Sequence, residues 1–375
     1  MLTYLLLFGS VYICFLIFFS WRTKKHIKNS TDFMLGGTKI GAAIGLMTFA
    51  ATLFSTFTLL GMPDFARING LGAWIFLAFS DAIMVFFILW FGFYLRKKVG
   101  NSAYQGMSSL LQKCYNNRMA GYLYFSAVFI FLTPYIAIQI RGVAIFLVSA
   151  FPDFIPVWGW SIGIVLIMLI YSELGGLKAI IYADSLQGTL LLIVVWIVAI
   201  NCLNEVGGWT ALFDRIGTVK KDLLSTPGPI GLLSPQFLIA SAIAILLIPV
   251  TQPQLSKRLI IMKNYKALKK MATSVGFFAI LVIFPTIIIG MYGAIYYAEA
   301  STSEFLGGVL LKKQHEIIAA LIIIGLFAAA MSTSDSQLFA MGNEIKGLLK
   351  LKEDDNLSPI RLVILLFASS ALIFS

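Results

Sequence analysis

Apolar residues along this chain come in long unbroken runs divided by short polar and basic stretches, with little of the 3.6-residue alternation of a half-buried soluble helix. A helix crossing the hydrocarbon core needs roughly 20 predominantly apolar residues, because lipid offers no partner to exposed backbone groups. That ruler predicts ten segments, at 2–19, 40–61, 71–95, 119–151, 157–171, 179–203, 235–250, 268–297, 316–342 and 359–375. The first has no basic residue before it and no small-residue cleavage site after it, so it reads as a retained helix. The longest polar stretch, 204–234, contains Gly-Gly and Pro-Gly-Pro and is expected to lie on the surface as partial helix, with no soluble domain anywhere.

Composition sharpens this picture. Of 375 residues 59% are apolar and 12% charged, about half the usual charged fraction, which excludes cytosolic enzymes, disordered tails and small secreted scaffolds. The net charge of +11 would suggest nucleic acid in a soluble chain. In a membrane chain it orients the helices instead, since Lys and Arg collect in cytoplasmic loops. With the amino terminus outside, the inner loops hold 21 basic residues, including Lys178, Lys257, Arg258, Lys266, Lys269 and Lys270. The outer loops hold six, Arg67 and Lys313 among them, and Arg141 falls within the fourth segment. The expectation is a multi-pass protein of the cell (inner) membrane whose partners are the lipid bilayer and a small-molecule solute, with no nucleic acid. Cys14, Cys114 and Cys202 show no CxxC spacing, so no disulfide or zinc site is expected; His26 and His315 sit in polar linkers.

The informative residues are those that cost energy in lipid. In the second segment Thr48, Thr52, Ser55, Thr56 and Thr58 crowd the middle; they either bond back to the preceding turn or mark an unwound stretch near 51–54 whose carbonyls face a cavity. In the ninth, Ala328-Ala-Ala-Met-Ser332-Thr333-Ser-Asp335-Ser336-Gln places small residues before hydroxyls and an acid. It reads either as a polar seam between helices or as hard oxygen ligands for a cation. The fifth and sixth segments are joined through Gly175-Gly176, expected to form a tight inside turn, with Asp184 and Gln187 one turn apart near the cytoplasmic mouth. Asp81 lies deep in the third segment and should face the interior, where Arg141, near Gln139, is expected to pair with it or to meet an anionic substrate. Pro249 and Pro253, with Gln252 between them, suit a broken seventh helix at a binding site.

Together these stretches resemble the sodium/solute symporter family. Three motifs carry the likeness: 51–63 with its Leu-Leu-Gly-Met-Pro ending, the block 171–187, and 328–336. Helix order and the linker Ser30-Thr-Asp-Phe-Met-Leu-Gly-Gly extend it over nearly the whole chain. The resemblance implies an all-α polytopic membrane helix bundle of about 10 transmembrane helices with the inverted five-helix repeat of leucine-transporter-like proteins. An extra helix at 2–19 would precede a first repeat at 40–203, and a second repeat at 235–375 would be incomplete. It implies a sodium ion held by the carbonyls of Ala51, Phe54 and Ala329 and the hydroxyls of Ser332 and Thr333, with Asp184 on the sodium exit path. The substrate cavity is expected to involve Ser55, Thr58, Asp81, Gln139, Arg141 and Gln252. Ile245 and Ile248 stand where sugar carriers place Asn and Tyr, which disfavours a sugar.

The expected function is therefore sodium-coupled import of a small organic solute, an amino acid or organic acid. The alternatives are a transporter-like sensory module of a membrane signalling protein and a transport-inactive member truncated within its second repeat. No nucleophile, base and orienting acid fall at recognisable spacing, so no enzyme is expected.

Overall fold

A computed structural model describes residues 1–25, 27, 29–36, 39–100, 104–152, 154–229, 231–350 and 357–375. Among them helix is the only regular structure, apart from one isolated bridge between Ile40 and Met262. The principal helices are α1 (Leu2–Lys24), α2 (Ala42–Leu53), α3 (Phe57–Asn69), α4 (Gly72–Val99), α5 (Arg118–Ala150), α6 (Val157–Val206), α7 (Pro235–Leu246), α8 (Pro253–Ile260), α9 (Tyr265–Tyr296), α10 (Glu316–Leu348) and α11 (Ser358–Ile373). Six are long and apolar enough to cross a membrane, seven when the bent pair α2 and α3 is one span. The ten expected segments include the two halves of α6 on either side of Gly176, together with α7 and α11, whose 12 and 16 residues fall short of a full crossing.

Between the fifth and sixth segments the Gly175-Gly176 pair forms a kink within α6: two helices meet at Gly176, which has the non-helical φ 61° and ψ −167°. Only glycine adopts that backbone cheaply, and a Cβ there would lie 2.9 Å from the Phe33 carbonyl oxygen. Here the chain kinks and passes close beneath the Ser30–Leu35 helix.

The core is set by which helices carry small residues. In α9 and α10, 72% and 78% of the apolar window is buried, against 11% in α1. Ala328, Ala329 and Ala330 let neighbours approach α10 closely. Most of α1 is left facing outward; it is pinned where Ser20 and Thr23 donate to the Tyr171 and Gly175 carbonyls at 2.8 and 3.1 Å.

Two arginines assigned to loops are structural ties. The Arg67 guanidinium is buried, donates to the carbonyls of Tyr297, Ala298 and Ala300, and pairs with Asp64 at 2.8 Å. Arg96 donates to the carbonyls of Leu259, Ile260 and Met262 at 3.0, 2.8 and 2.8 Å, placing a cation on the open carbonyls where α8 ends. The polar stretch after α6 forms a helix at Trp209–Val219 and a short turn at Lys221–Leu224. His315 is exposed; His26 lies outside the described residues.

Candidate functional site

The site begins where α2 stops. Helix ends at Leu53, Phe54 is extended at φ −89° and ψ 117°, and the chain resumes in α3 at a bend of 63°. The unwound residues are Phe54 and Ser55, slightly later than the 51–54 expected. The hydroxyl-rich sequence explains the break, because such side chains offer the backbone local partners that compete with the helix. Ser55 Oγ accepts from the Phe57 N–H at 3.3 Å, and Gln139 of α5 accepts from both the Thr56 N–H, at 3.2 Å, and the Thr56 hydroxyl. The π-turn Phe57–Gly61 follows at once. Since Ser55 is not helical, the Ala51 carbonyl in the last turn of α2 loses its intrahelical partner.

That carbonyl is met by α10. Ser332 Oγ donates to the Ala51 carbonyl at 2.7 Å and lies 3.0 Å from that of Ala329. Thr333 Oγ1 is 3.5 and 3.4 Å from the carbonyls of Ala51 and Thr52. Four of the five groups expected around a cation, those of Ala51, Ala329, Ser332 and Thr333, are therefore mutual neighbours. The fifth residue, Phe54, stands buried at the break with its ring 5.7 Å from that of Phe278. Chemically this is a nest of uncharged oxygens, the donor set a hard cation prefers. Both hydroxyls can turn their lone pairs inward if a cation takes over from their protons.

One turn further along α10 the structure holds a group that the sequence reading missed. Arg258 of α8, counted there as a cytoplasmic loop charge, is 1% exposed. Its Nη2 lies 3.0 Å from Asp184 Oδ2, 2.7 Å from Ser336 Oγ and 3.4 Å from Thr52 Oγ1. Asp184 is 0% exposed and also accepts from the Thr48 hydroxyl, so it is a buried counter-ion and not a wet residue at a mouth. Lys257 is buried too, its Nζ 3.5 Å from the Phe339 carbonyl oxygen. The available signal was position: these two charges follow a double-proline break directly, in a helix that places Leu255 and Leu259 in the core. Nearby, Tyr12 of α1 accepts from Gln187 Nε2 at 2.7 Å, which brings the first helix to the edge of the cluster.

The residues expected around a solute separate. Ser55, Thr58 and Asp81 are all buried, and Tyr135 lies on α5 one turn before Gln139. Gln139 is buried too, but its oxygen is committed to Thr56. The expected Arg141–Asp81 pair does not form. Arg141 is exposed and donates to the Ser375 carbonyl at 2.6 Å, because the α5 face that carries it turns away from the break. Gln252 sits at the α7–α8 break and accepts from Gln254 at 2.7 Å.

With this geometry in view, similarity to known proteins becomes specific. The sodium:solute symporter family matches residues 33–346, and the chain belongs to that family. It is 24% identical over 321 residues to the sodium/pantothenate symporter of Haemophilus influenzae, covering 82% of this chain and 63% of that one. It is 25% identical over 337 residues to the high-affinity proline transporter PutP of Bacillus subtilis, covering 86% and 68%. Against the pantothenate symporter of Escherichia coli it spans 49% of that protein's length. The fold is similar to that of a Na+-coupled sialic acid symporter, with TM-score 0.83, 20% identity, and coverage of 100% of this chain and 81% of that one. The matched relatives are transporters and not enzymes.

Proposed function

We propose that the protein is a sodium-coupled symporter that imports a small organic solute, an amino acid or organic acid. The observation that carries this reading is the meeting of the Ser332 and Thr333 hydroxyls with the Ala51 carbonyl, freed by the break between α2 and α3. Sodium would be held there by the carbonyls of Ala51, Phe54 and Ala329 and the two hydroxyls, bridging the proposed repeats at 40–203 and 235–375. An amino terminus outside is supported by the distribution of basic residues, and an inner-membrane location belongs to the same proposal.

Inward movement of one sodium ion releases about 2.3 kcal/mol per 100 mV of membrane potential. That work is coupled only if ion and solute each favour the other's binding. The proposed solute region takes in Ser55, Thr58 and Asp81, all buried. The choice of a carboxylate-bearing solute is supported by the names of the matched pantothenate and proline carriers and by the apolar Ile245 and Ile248. The Arg258–Asp184 pair seals the proposed sodium exit, and its separation would open the inner side. Inverted repeats and a ten-helix count belong to the same proposal.

A thermal-shift screen of the purified chain with proline, pantothenate, acetate, sialic acid, hexoses and choline, each with and without sodium, tests it. A carboxylate-bearing solute should stabilise the protein only when sodium is present. Equal stabilisation in potassium and in sodium would defeat the reading.

A further inference from the structure

A groove of about 700 Å³ opens between the start of α2 and the first turns of α9, lined by Ala42, Ala43, Leu46, Lys266, Lys269, Lys270, Thr273 and Ser274. The three lysines are exposed, and none of them has a carboxylate partner among the described residues. Ala42 and Ala43 keep the opposite wall low, so the ammonium groups border a concavity and not a crowded surface. Past Thr273 the outward face of α9 turns wholly apolar: Phe277, Ile280, Leu281 and Phe284 are exposed at helical spacing. A cationic cradle with hydroxyls beneath it and an apolar ridge below matches a molecule with an anionic head and long acyl chains.

We propose that this groove binds the headgroup of an anionic phospholipid, with its acyl chains laid along Phe277, Leu281 and Phe284. Basic pockets between helices at the cytoplasmic face are suited to such headgroups, and lysine stems extend readily to the phosphate level. A free phosphate would satisfy the lysines and leave the ridge unused, which is why a lipid is the assigned occupant. Seated there, the lipid bridges α9 to α2, the helix whose last turn presents the Ala51 carbonyl. Its binding does not depend on sodium, so the two readings fail separately.

The test uses the purified full chain and two kinds of vesicle, phosphatidylcholine alone and phosphatidylcholine with phosphatidylglycerol. Phosphatidylglycerol should raise the unfolding temperature and stay bound through purification, whereas phosphatidylcholine does neither. Each lysine near an anionic surface contributes roughly fivefold, so Lys266→Gln, Lys269→Gln and Lys270→Gln together should weaken retention on the order of 100-fold. The corresponding triple Lys→Arg variant should keep it, as should Lys220→Gln with Lys221→Gln in the polar stretch after α6. Undiminished lipid retention in the triple Gln variant would overturn the proposal. So would equal stabilisation by both vesicles, or displacement of the lipid by millimolar inorganic phosphate, the mark of a small-anion site. Sodium-induced stabilisation, read on the same samples, reports on the symport reading alone.

Discussion

The Arg258 guanidinium and the Asp184 carboxylate, 74 residues apart, meet at 3.0 Å with 1% and 0% of their side chains exposed. The same nitrogen reaches Ser336 of α10 and Thr52 of α2, so one cation ties four helices together beneath the break. An ion pair this deep is expensive to half-remove, because the survivor is left charged and unpaired.

Arg258→Ala is therefore expected to destabilise the protein by about 3–5 kcal/mol, while Arg258→Met combined with Asp184→Leu costs much less. Unfolding of this double variant, of Arg258→Met alone and of Asp184→Leu alone, beside the unsubstituted protein, completes a double-mutant cycle. Additive losses would show that the pair carries no coupling.

Ser332→Ala with Thr333→Ala removes two of the proposed sodium ligands and leaves the α10 backbone as it is. Sodium-stimulated uptake by vesicles containing the variant should vanish, with the amount of protein in the membrane unchanged. An unaltered sodium dependence would rule out this position for the ion.

Gln139→Leu takes away the acceptor shared by the Thr56 N–H and hydroxyl. Stranding those donors in a buried break should cost about 1–3 kcal/mol. Because Thr56 adjoins Ser55 and Thr58, solute binding should weaken as well; Gln139→Glu, which keeps the acceptor, should retain more of both. Thermal unfolding and solute titration provide the two readouts.

Gly176→Ala asks a side-chain-bearing residue to hold φ 61° with its Cβ against the Phe33 carbonyl. A loss of about 1–3 kcal/mol is expected from the backbone alone, and more with the contact. Gly163, also in α6, has open space at its Cβ, and Gly163→Ala should be neutral or slightly stabilising by comparison.

Much of the outline was readable in one dimension. The length of an apolar run and the bias of its flanking charges are properties of each segment alone, so helix placement could be expected from residue order, whereas the pairing of a hydroxyl-rich early span with a hydroxyl-rich late one was implied by the resemblance to the symporter family. The unwinding at Phe54 and Ser55 was legible to within a few residues because Thr52, Ser55 and Thr56 compete locally with their own backbone. Arg141 and Arg258 defeated the same logic in opposite directions. By position Arg141 looked internal, yet it is exposed; Arg258 looked like a loop charge, yet it is among the most deeply buried side chains.

Residue order thus defines a helical membrane protein of the sodium:solute symporter family and names the oxygens that line its break. It does not say which charges are neutralised. That depends on the rotation of each helix about its axis and on partners from α2, α6 and α10 arriving together, as they do around Arg258. In a low-dielectric interior a charge is tolerable only when such partners surround it, and their convergence is a fact of packing that no local run of residues encodes.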